Sequence, residues 1–208
     1  MTSSLRERKK DRTRHTITRV ALELFARDGF HATTINAIAE AADVAPRTVS
    51  TYFPSKELIV FDVYEPSTQR VADRFARRSP GESVLDVFRA ALTEEESHHD
   101  ETRGLVLSAD QEETDLARLR EAAIASDRDL WALQRLHIWP LVTLLARAAA
   151  EDLGVEADSL LAQVLGESIV ATLLAANARA ARLGTSAASE FDSVSGFLRA
   201  GLERATEA

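Results

Sequence analysis

The chain has no cysteine among its 208 residues, and it contains only eight glycines and five prolines. The lack of cysteine excludes disulfide scaffolds, thiolate zinc sites, iron–sulfur clusters and cysteine nucleophiles. The scarcity of glycine and proline, in a chain rich in Ala, Leu and Arg, argues against sandwiches and barrels and favours helices. We therefore predict an all-α fold, with about nine helices by hydrophobic periodicity.

Patterns typical of secretion and of membrane insertion are also missing. The N-terminal stretch MTSSLRERKKDRTR is charged and has no apolar region like that of a secretory signal. No run reaches the roughly 18 uninterrupted apolar residues that a membrane span requires. With 45% hydrophobic and 28% charged residues, the chain can bury a core. These features predict a cytoplasmic protein with no membrane partner.

Charge is distributed unevenly along the chain. Residues 1–56 contain ten Lys and Arg against six Asp and Glu, a formal charge of +4 in a chain whose total is −8. The remaining residues therefore carry −12. A basic head on an acidic body indicates that the head alone binds a polyanion. A solvated and frayed N-terminus is the other interpretation of the same pattern.

Hydrophobic periodicity predicts three helices in the basic head. The first has one apolar stripe, made of Ile17, Val20, Ala21, Leu24 and Phe25. This stripe ends at Gly29, which suits the left-handed terminus of a helix. A second short helix follows the candidate N-caps Thr33 and Thr34, and Pro46 opens a third helix that ends at about Tyr52. Two short helices joined by a tight turn form a helix-turn-helix unit.

The stretch TTINAIAEAADVAPRTVSTYFPSKELI, residues 33–59, resembles the N-terminal signature of the TetR (tetracycline repressor) family of bacterial transcriptional regulators. The preceding LFARDGF, residues 24–30, matches the family's usual approach to this signature, and the resemblance covers about residues 10–60. It implies a homodimer that binds a palindromic operator in double-stranded DNA and is released by a small ligand. It also implies a DNA-binding domain at residues 10–56, with its recognition helix at about 45–52, and an effector-binding and dimerisation domain at 57–208.

Residue roles follow from the resemblance and from the chemistry of helix N-termini, which attract phosphate. Positioning contacts, mainly to phosphate, are predicted for Thr33, Thr34, Asn36, Tyr52 and Lys56. Contacts in the groove are predicted for Pro46, Arg47, Thr48, Ser50 and Thr51. Among these, Arg47 alone carries a guanidinium that can bind guanine O6 and N7 together.

Four positions depart from the common family pattern. Asp43 stands where the turn often has glycine, and Ala45 cannot cap the recognition helix. Ser50 replaces a frequent aromatic residue, and Ala37 cannot complete a capping box with Thr34. The base specificity of a relative therefore cannot be carried over to this chain.

The body is predicted to begin with one long helix from Leu58 to about Arg78, capped by Ser55 and kinked at Pro66. A later helix, capped by Ser126, contains Pro140. We expect a cavity for a small hydrophobic effector between these helices, and filling it should change the bend at Pro66. Its predicted lining is Tyr64, Phe88, Leu92, Trp131, His137 and Trp139. Ordinary core packing is the other interpretation of these residues.

The last two predicted helices, Ser159–Arg182 and Phe191–Glu203, are candidates for dimerisation. The first is apolar almost all round its axis, and such a helix must be buried on every side. The predicted interface consists of Leu161, Leu165, Ile169, Leu173, Val194, Leu198 and Leu202. A purely intramolecular core would also account for this pattern.

Motifs for catalysis are not recognisable, so we predict no catalytic residues, no cofactor and no metal centre. His98, His99 and Asp100 are consecutive and lack the spacing of metal ligands. The sequence predicts a transcriptional regulator, acting as a repressor that an effector releases from DNA. A DNA-binding protein without an effector, either structural or answering to a protein partner, is the alternative. An enzyme or binding module with a vestigial helix-turn-helix is a third possibility.

Overall fold

The computed structural model describes residues 5–97 and 111–206, and within these ranges every regular element is an α-helix. The ten described helices are α1 (Leu5–Asp28), α2 (Ile35–Ala41), α3 (Pro46–Tyr52), α4 (Glu57–Phe61), α5 (Tyr64–Ala76), α6 (Val84–Ser97), α7 (Gln111–Ser126), α8 (Arg128–Leu153), α9 (Leu160–Leu183) and α10 (Ala187–Thr206). The predicted all-α class is confirmed. His98, His99 and Asp100 lie outside the described residues.

The chain divides into two compact units. The first unit comprises Met1–Asp62 and Arg118–Gln134, and the second comprises Val63–Ala117 and Arg135–Ala208. The core of the first unit contains the whole predicted stripe of α1. It also contains Ile38, Val49, Phe53, Ile59 and Val60 from the following segments. Because α2, α3 and α4 have only five to seven residues each, their stability depends on this shared core.

Local backbone features between α1 and α3 agree with the sequence analysis. Gly29 follows α1 with φ +88°, and Asp43 occupies the left-handed region at φ 53° in the turn between α2 and α3. The hydroxyl of Thr34 caps α2 by accepting the N–H of Ala37 at 3.1 Å. Ala45 precedes α3 without a side-chain cap, and Pro46 is the first residue of that helix.

The predicted long helix from Leu58 to Arg78 is wrong, because the chain forms α4 and α5 with a break at Asp62 and Val63. Pro66 is therefore the third residue of α5 and does not kink a continuous rod. A proline in the interior of a helix would crowd the carbonyl of Asp62, whereas in the first turn its missing N–H has no intrahelical partner. The helix accordingly stops and restarts.

Two predicted caps are also wrong. Ser55 does not cap α4, which begins after Lys56 without a side-chain cap. The carboxylate of Asp127 caps α8, and the Ser126 hydroxyl donates to the carbonyl of Ala123 at 3.0 Å. A carboxylate is favoured over a hydroxyl there by the positive end of the helix dipole.

In the second unit, small residues allow long helices to pack closely, and ion pairs connect neighbouring helices. A Cβ added to Gly166 of α9 would lie 2.7 Å from the backbone nitrogen of Ala146 in α8, so these helices approach closely. The guanidinium of Arg89 on α6 forms two hydrogen bonds, of 2.6 and 2.7 Å, with Asp192 of α10. The rings of Phe88 and Phe191 meet edge to face between the same two helices.

By length and composition α9 is apolar enough to cross a membrane, with a mean hydropathy of 1.5 over its most apolar window. Core helices of water-soluble bundles meet the same criteria. Several residues of α9, among them Ile169, Val170 and Leu173, are buried within the second unit. These residues form one buried side of α9, and 39% of the apolar window is buried in all.

Candidate nucleic-acid interface

The third helix presents one polar face to solvent and one apolar face to the core of the first unit. Arg47, Ser50 and Thr51 are exposed, and their spacing puts them on one side of α3. Val49, on the other side, is completely buried. Pro46 is exposed as well, whereas Thr48 is only half-exposed. The buried side of α3 thus fixes the orientation of its exposed side.

Arg47 has the chemistry for reading a base. Its side chain is exposed and forms no ion pair with any residue in the described ranges. The hydroxyl of Thr51 donates to the carbonyl of Arg47 at 2.8 Å, so the Thr51 oxygen keeps its lone pairs for an incoming donor. A guanidinium beside a hydroxyl acceptor can bind base edges that carry both acceptors and donors.

At the start of α2, Thr34 and Asn36 are both exposed. The Thr34 oxygen accepts a backbone N–H within the cap, which leaves its O–H as a donor. The N-terminal N–H groups of a helix and a hydroxyl donor together suit a phosphate oxygen.

The predicted phosphate contact at Thr33 is not supported by the structure. Its side chain is 3% exposed, and its hydroxyl donates to the carbonyl of Gly29 at 2.9 Å. Thr33 therefore stabilises the turn after α1 through a buried hydrogen bond. The sequence could not separate Thr33 from Thr34, because both precede the same helix.

Lys56, also predicted to bind phosphate, has an internal role instead. Its Nζ donates to the carbonyls of Phe30 and Thr33 at 2.6 and 2.9 Å. The same ammonium lies 4.2 Å from the centre of the Phe30 ring. Two of its three N–H donors bind backbone carbonyls, so Lys56 links the start of α4 to the turn before α2 by hydrogen bonds.

Tyr52, the last residue of α3, is half-buried, and a side chain that the sequence analysis missed positions its backbone. Arg14 of α1 donates to the Tyr52 carbonyl at 3.3 Å and forms a two-pronged ion pair with Asp62, in which Nε and Oδ2 are 2.8 Å apart. Its guanidinium carbon also lies 4.6 Å from the centre of the Phe53 ring. Arg14 is on the same helix face as Ile17, and a charge on an apolar stripe was the signal that could have revealed it.

The residues predicted to line an effector cavity fall into two groups. Tyr64, Phe88 and Leu92 are buried in the second unit. The Tyr64 ring is 6.3 Å from the ring of half-buried His137, and burial lowers the pKa of this histidine. The other two residues, Trp131 and Trp139, are 59% and 55% exposed, so they do not line an enclosed space within either unit. A lone tryptophan on a helix gives no sign in sequence of which side it faces.

The predicted dimer residues are also divided. Four of them, Ile169, Leu173, Leu198 and Leu202, are buried inside the second unit, so their side chains pack within the protomer. Leu165 is half-buried, and Leu161 and Val194 are exposed. Four large apolar side chains that the prediction omitted are exposed on the same helices: Leu160, Val164, Leu183 and Phe197. The apolar surface of α9 and α10 that faces solvent is therefore displaced around each helix from the predicted seam.

A capped short helix, a turn with one left-handed residue and an exposed polar second helix together define a helix-turn-helix protein. Residues 17–63, which include α2 and α3, match the family described as bacterial regulatory proteins, tetR family. The predicted family resemblance is thus confirmed for the N-terminal part of the chain.

Two curated relatives agree with this assignment. The HTH-type transcriptional regulator TcmR of Streptomyces glaucescens is 39% identical over 92 residues, which are 42% of this chain and 41% of TcmR. MftR of Mycobacterium tuberculosis, described as a mycofactocin biosynthesis transcriptional regulator, is 36% identical over 88 residues, 41% of this chain and 43% of MftR. The chain thus matches about two fifths of the length of each relative.

A solved structure extends the similarity in fold beyond the DNA-binding unit. FadR of Thermus thermophilus, a TetR-family transcriptional repressor in complex with lauroyl-CoA, has a TM-score of 0.56 with 23% sequence identity. The similarity covers 90% of this chain and 94% of FadR. It shows a similarity in fold that extends over most of the chain.

Proposed function

We propose that this protein is a sequence-specific transcriptional regulator, a repressor that binds a palindromic operator through α2 and α3 of each protomer in a homodimer. The observation that carries this proposal is the exposed face of α3, with Arg47, Ser50 and Thr51, in a tetR-family domain. The function is binding and release, and no catalytic step is required.

The charge of the first unit supports this proposal. Its N-terminal helix begins with five exposed cations: Arg6, Arg8, Lys9, Lys10 and Arg12. These side chains can neutralise phosphates without reading sequence. We expect the logarithm of the association constant to fall with the logarithm of salt concentration, by roughly 0.9 for each phosphate neutralised.

Selection of bound fragments from genomic DNA should yield an operator, and Arg47→Ala then tests how it is read. This change should weaken operator binding by about 1–3 kcal/mol and relax the preference at one base pair of each half-site. Arg147→Ala is a matched control, because Arg147 is an exposed arginine on α8 in the second unit. Equal loss of affinity in both variants, or an unchanged base preference for Arg47→Ala, would contradict the proposal.

We place the dimer interface on the exposed face of α9 and α10. On α9, Leu161, Val164, Ala171, Ala175 and Ala178 are exposed at spacings of three and four residues or multiples of them. Phe197 of α10 is 84% exposed, and a phenylalanine in water loses the stabilisation that burial would give. A self-complementary face of this kind suits a two-fold dimer, whose DNA-binding units read half-sites about one helical turn apart or a multiple of it.

The double variant Val164→Glu, Phe197→Glu should be monomeric by light scattering and retain its helical circular dichroism. Leu136→Glu is the control, because Leu136 is an equally exposed apolar residue on α8. By contrast, a charge at Leu173 or Leu198 should unfold the protomer, since both side chains are buried within it. A double variant that remains dimeric would move the interface elsewhere.

The proposed effector is a small hydrophobic molecule bound in the second unit near Tyr64 and His137. Support comes from the adjacency of these rings and from the lowered pKa of His137, which favours the neutral imidazole. Because FadR of Thermus thermophilus binds lauroyl-CoA, fatty acyl-CoA thioesters belong in the first screen. A true effector should raise the melting temperature and lower operator affinity, by the same thermodynamic linkage. A DNA-binding protein without an effector would show neither response to any compound.

A further inference from the structure

We propose that His31, Asp127 and Asp129 form a binding site for one divalent transition-metal ion. All three residues belong to the first unit: His31 follows α1, and the two aspartates flank the first residue of α8. One donor atom from each lies within 4.8 Å of the other two. The three residues are far apart in sequence, so only folding brings them together, and a search for motifs could not find them.

The distances from the His31 nitrogen to the two carboxylates fit the edges of a tetrahedral site. The imidazole Nε2 lies 3.1 Å from Oδ2 of Asp127 and 3.4 Å from Oδ2 of Asp129. Zn²⁺ binds histidine nitrogen and carboxylate oxygen at about 2.0–2.2 Å, which makes neighbouring ligands roughly 3.3–3.6 Å apart. Both observed separations are close to this tetrahedral edge.

Asp127 is held in the orientation that a ligand requires. Its Oδ1 accepts the backbone N–H groups of Asp129 and Leu130, both at 3.0 Å, and its Oδ2 is the atom that faces His31. The Asp127 side chain is only 9% exposed. Hydrogen bonds to the second oxygen of a carboxylate ligand fix its direction, as outer-shell contacts do in metal sites.

A protonated His31 could also pair with the two carboxylates, but it would stabilise their charges less than a metal ion does. The imidazolium Nε2 has a single hydrogen, which can point at one oxygen only. An ion bound to the nitrogen lone pair attracts both oxygens at once. His31 and Asp129 are 69% and 76% exposed, so an ion can enter from solution and water can complete its coordination.

One imidazole and two carboxylates are a donor set for Zn²⁺, Ni²⁺ or Co²⁺. The test uses the full chain, stripped with a chelator that is then removed, and titrated with ZnCl₂ in a calorimeter. We expect one ion per chain and a melting temperature that rises with zinc. Titration with Co²⁺ should give visible absorption bands of a bound, low-coordinate ion.

Three variants identify the ligands. His31→Ala and Asp129→Asn should each raise the dissociation constant for zinc at least about tenfold. Asp127→Asn should do the same while α8 stays intact, because asparagine caps a helix as well as aspartate does. The double variant His98→Ala, His99→Ala is the control and should bind zinc like the unaltered chain.

Equal zinc affinity in the unaltered chain and in His31→Ala would overturn the proposal. Loss of zinc affinity in the His98→Ala, His99→Ala variant would also overturn it, because the ion would then be bound by His98 and His99. Absence of saturable binding would leave the cluster as an ion pair only. None of the three ligand substitutions alters α2 or α3, so the result does not depend on whether the protein binds an operator.

Discussion

The two units of this protein use arginine and lysine in different ways. In the first unit, Arg14, Lys56 and Arg120 point inward and donate to backbone carbonyls at Tyr52, Phe30, Thr33 and Val60. In the second unit, several arginines form ion pairs with carboxylates on other helices, as Arg89 does with Asp192 and Arg199 with Asp86.

The difference follows from helix length. Helices of five to seven residues have almost as many unpaired terminal carbonyls as internal hydrogen bonds, and they bury little apolar area. In the first unit, cationic side chains therefore donate hydrogen bonds to terminal carbonyls, such as those of Tyr52 and Val60. Helices of 13 to 26 residues can bury longer apolar faces, so we expect the second unit to depend less on cationic side chains. Four substitutions test this contrast.

Arg14→Ala should have the largest effect, a loss of about 2–3 kcal/mol in the free energy of unfolding. It removes both guanidinium contacts to Asp62, whose carboxylate is mostly buried and would lose this cationic partner. Urea denaturation measures the loss. Arg12→Ala, which removes an exposed charge from the same helix, should stay within about 0.5 kcal/mol. Equal effects would show that internal arginine contacts do not distinguish the first unit.

Gly166→Ala should cost the second unit about 2 kcal/mol, because the new methyl group would overlap the backbone of Ala146. Neither backbone can yield without separating α8 from α9. Glu167→Ala changes the adjacent, exposed residue and should leave stability nearly unaltered, as measured in the same urea titrations. A neutral Gly166→Ala would mean that the second unit is held by its ion pairs after all.

Glu121 gives the first unit a pH dependence of its own. Burial raises its pKa to about 6, against the opposing charge of Arg120. Because the folded form binds the proton more tightly than the unfolded chain, stability should fall as pH rises through about 4.5 to 6. Glu121→Gln should remove this slope and increase stability at pH 7.5 by about 1–2 kcal/mol. Melting temperatures between pH 5 and 7.5 check the prediction, and an unchanged slope would refute it.

Asp86 should make the second unit less stable as pH falls, which is the opposite pH dependence. Of the four substitutions, the one at Asp86 should have the smallest effect on stability. Hydrogen bonds from Arg199 and then from Ser83 lower its pKa to about 2. The folded form therefore loses stability only as pH falls from about 4 to about 2. Since the pair is partly exposed, the loss should stay below about 1 kcal/mol. Asp86→Asn should flatten this acid limb of the melting curve, and high salt should flatten it too. A salt-independent limb would point to another carboxyl group.

The sequence allowed the helices of the DNA-binding motif to be predicted nearly to the residue. Local signals determine them: Thr34 caps α2, Pro46 starts α3, and Asp43 adopts the turn conformation. The residues on the exposed face of α3 followed from the family resemblance. These features depend on neighbours within one or two turns, which a sequence displays directly.

Contacts between distant segments could not be predicted in this way. Arg14 and Asp62 are 48 residues apart, and Lys56 and Phe30 are 26 apart, so nothing in either local sequence links them. The residues of α9 also show the limit of periodicity. An all-round apolar helix predicts burial on every side but not what buries each side, and Leu173 proved to be buried within its own protomer.

The internal position of Lys56 also determines where amine chemistry can be done on this protein. The chain has three lysines, and Lys9 and Lys10 are exposed near the start of α1. An acylating reagent must first detach Lys56 from the carbonyls of Phe30 and Thr33 and from the Phe30 ring. Among the lysine side chains, an amine-reactive dye or a coupling surface will therefore attach at Lys9 and Lys10 and leave the turn before α2 unmodified. Every lysine-conjugated molecule thus carries its label at the basic end of α1.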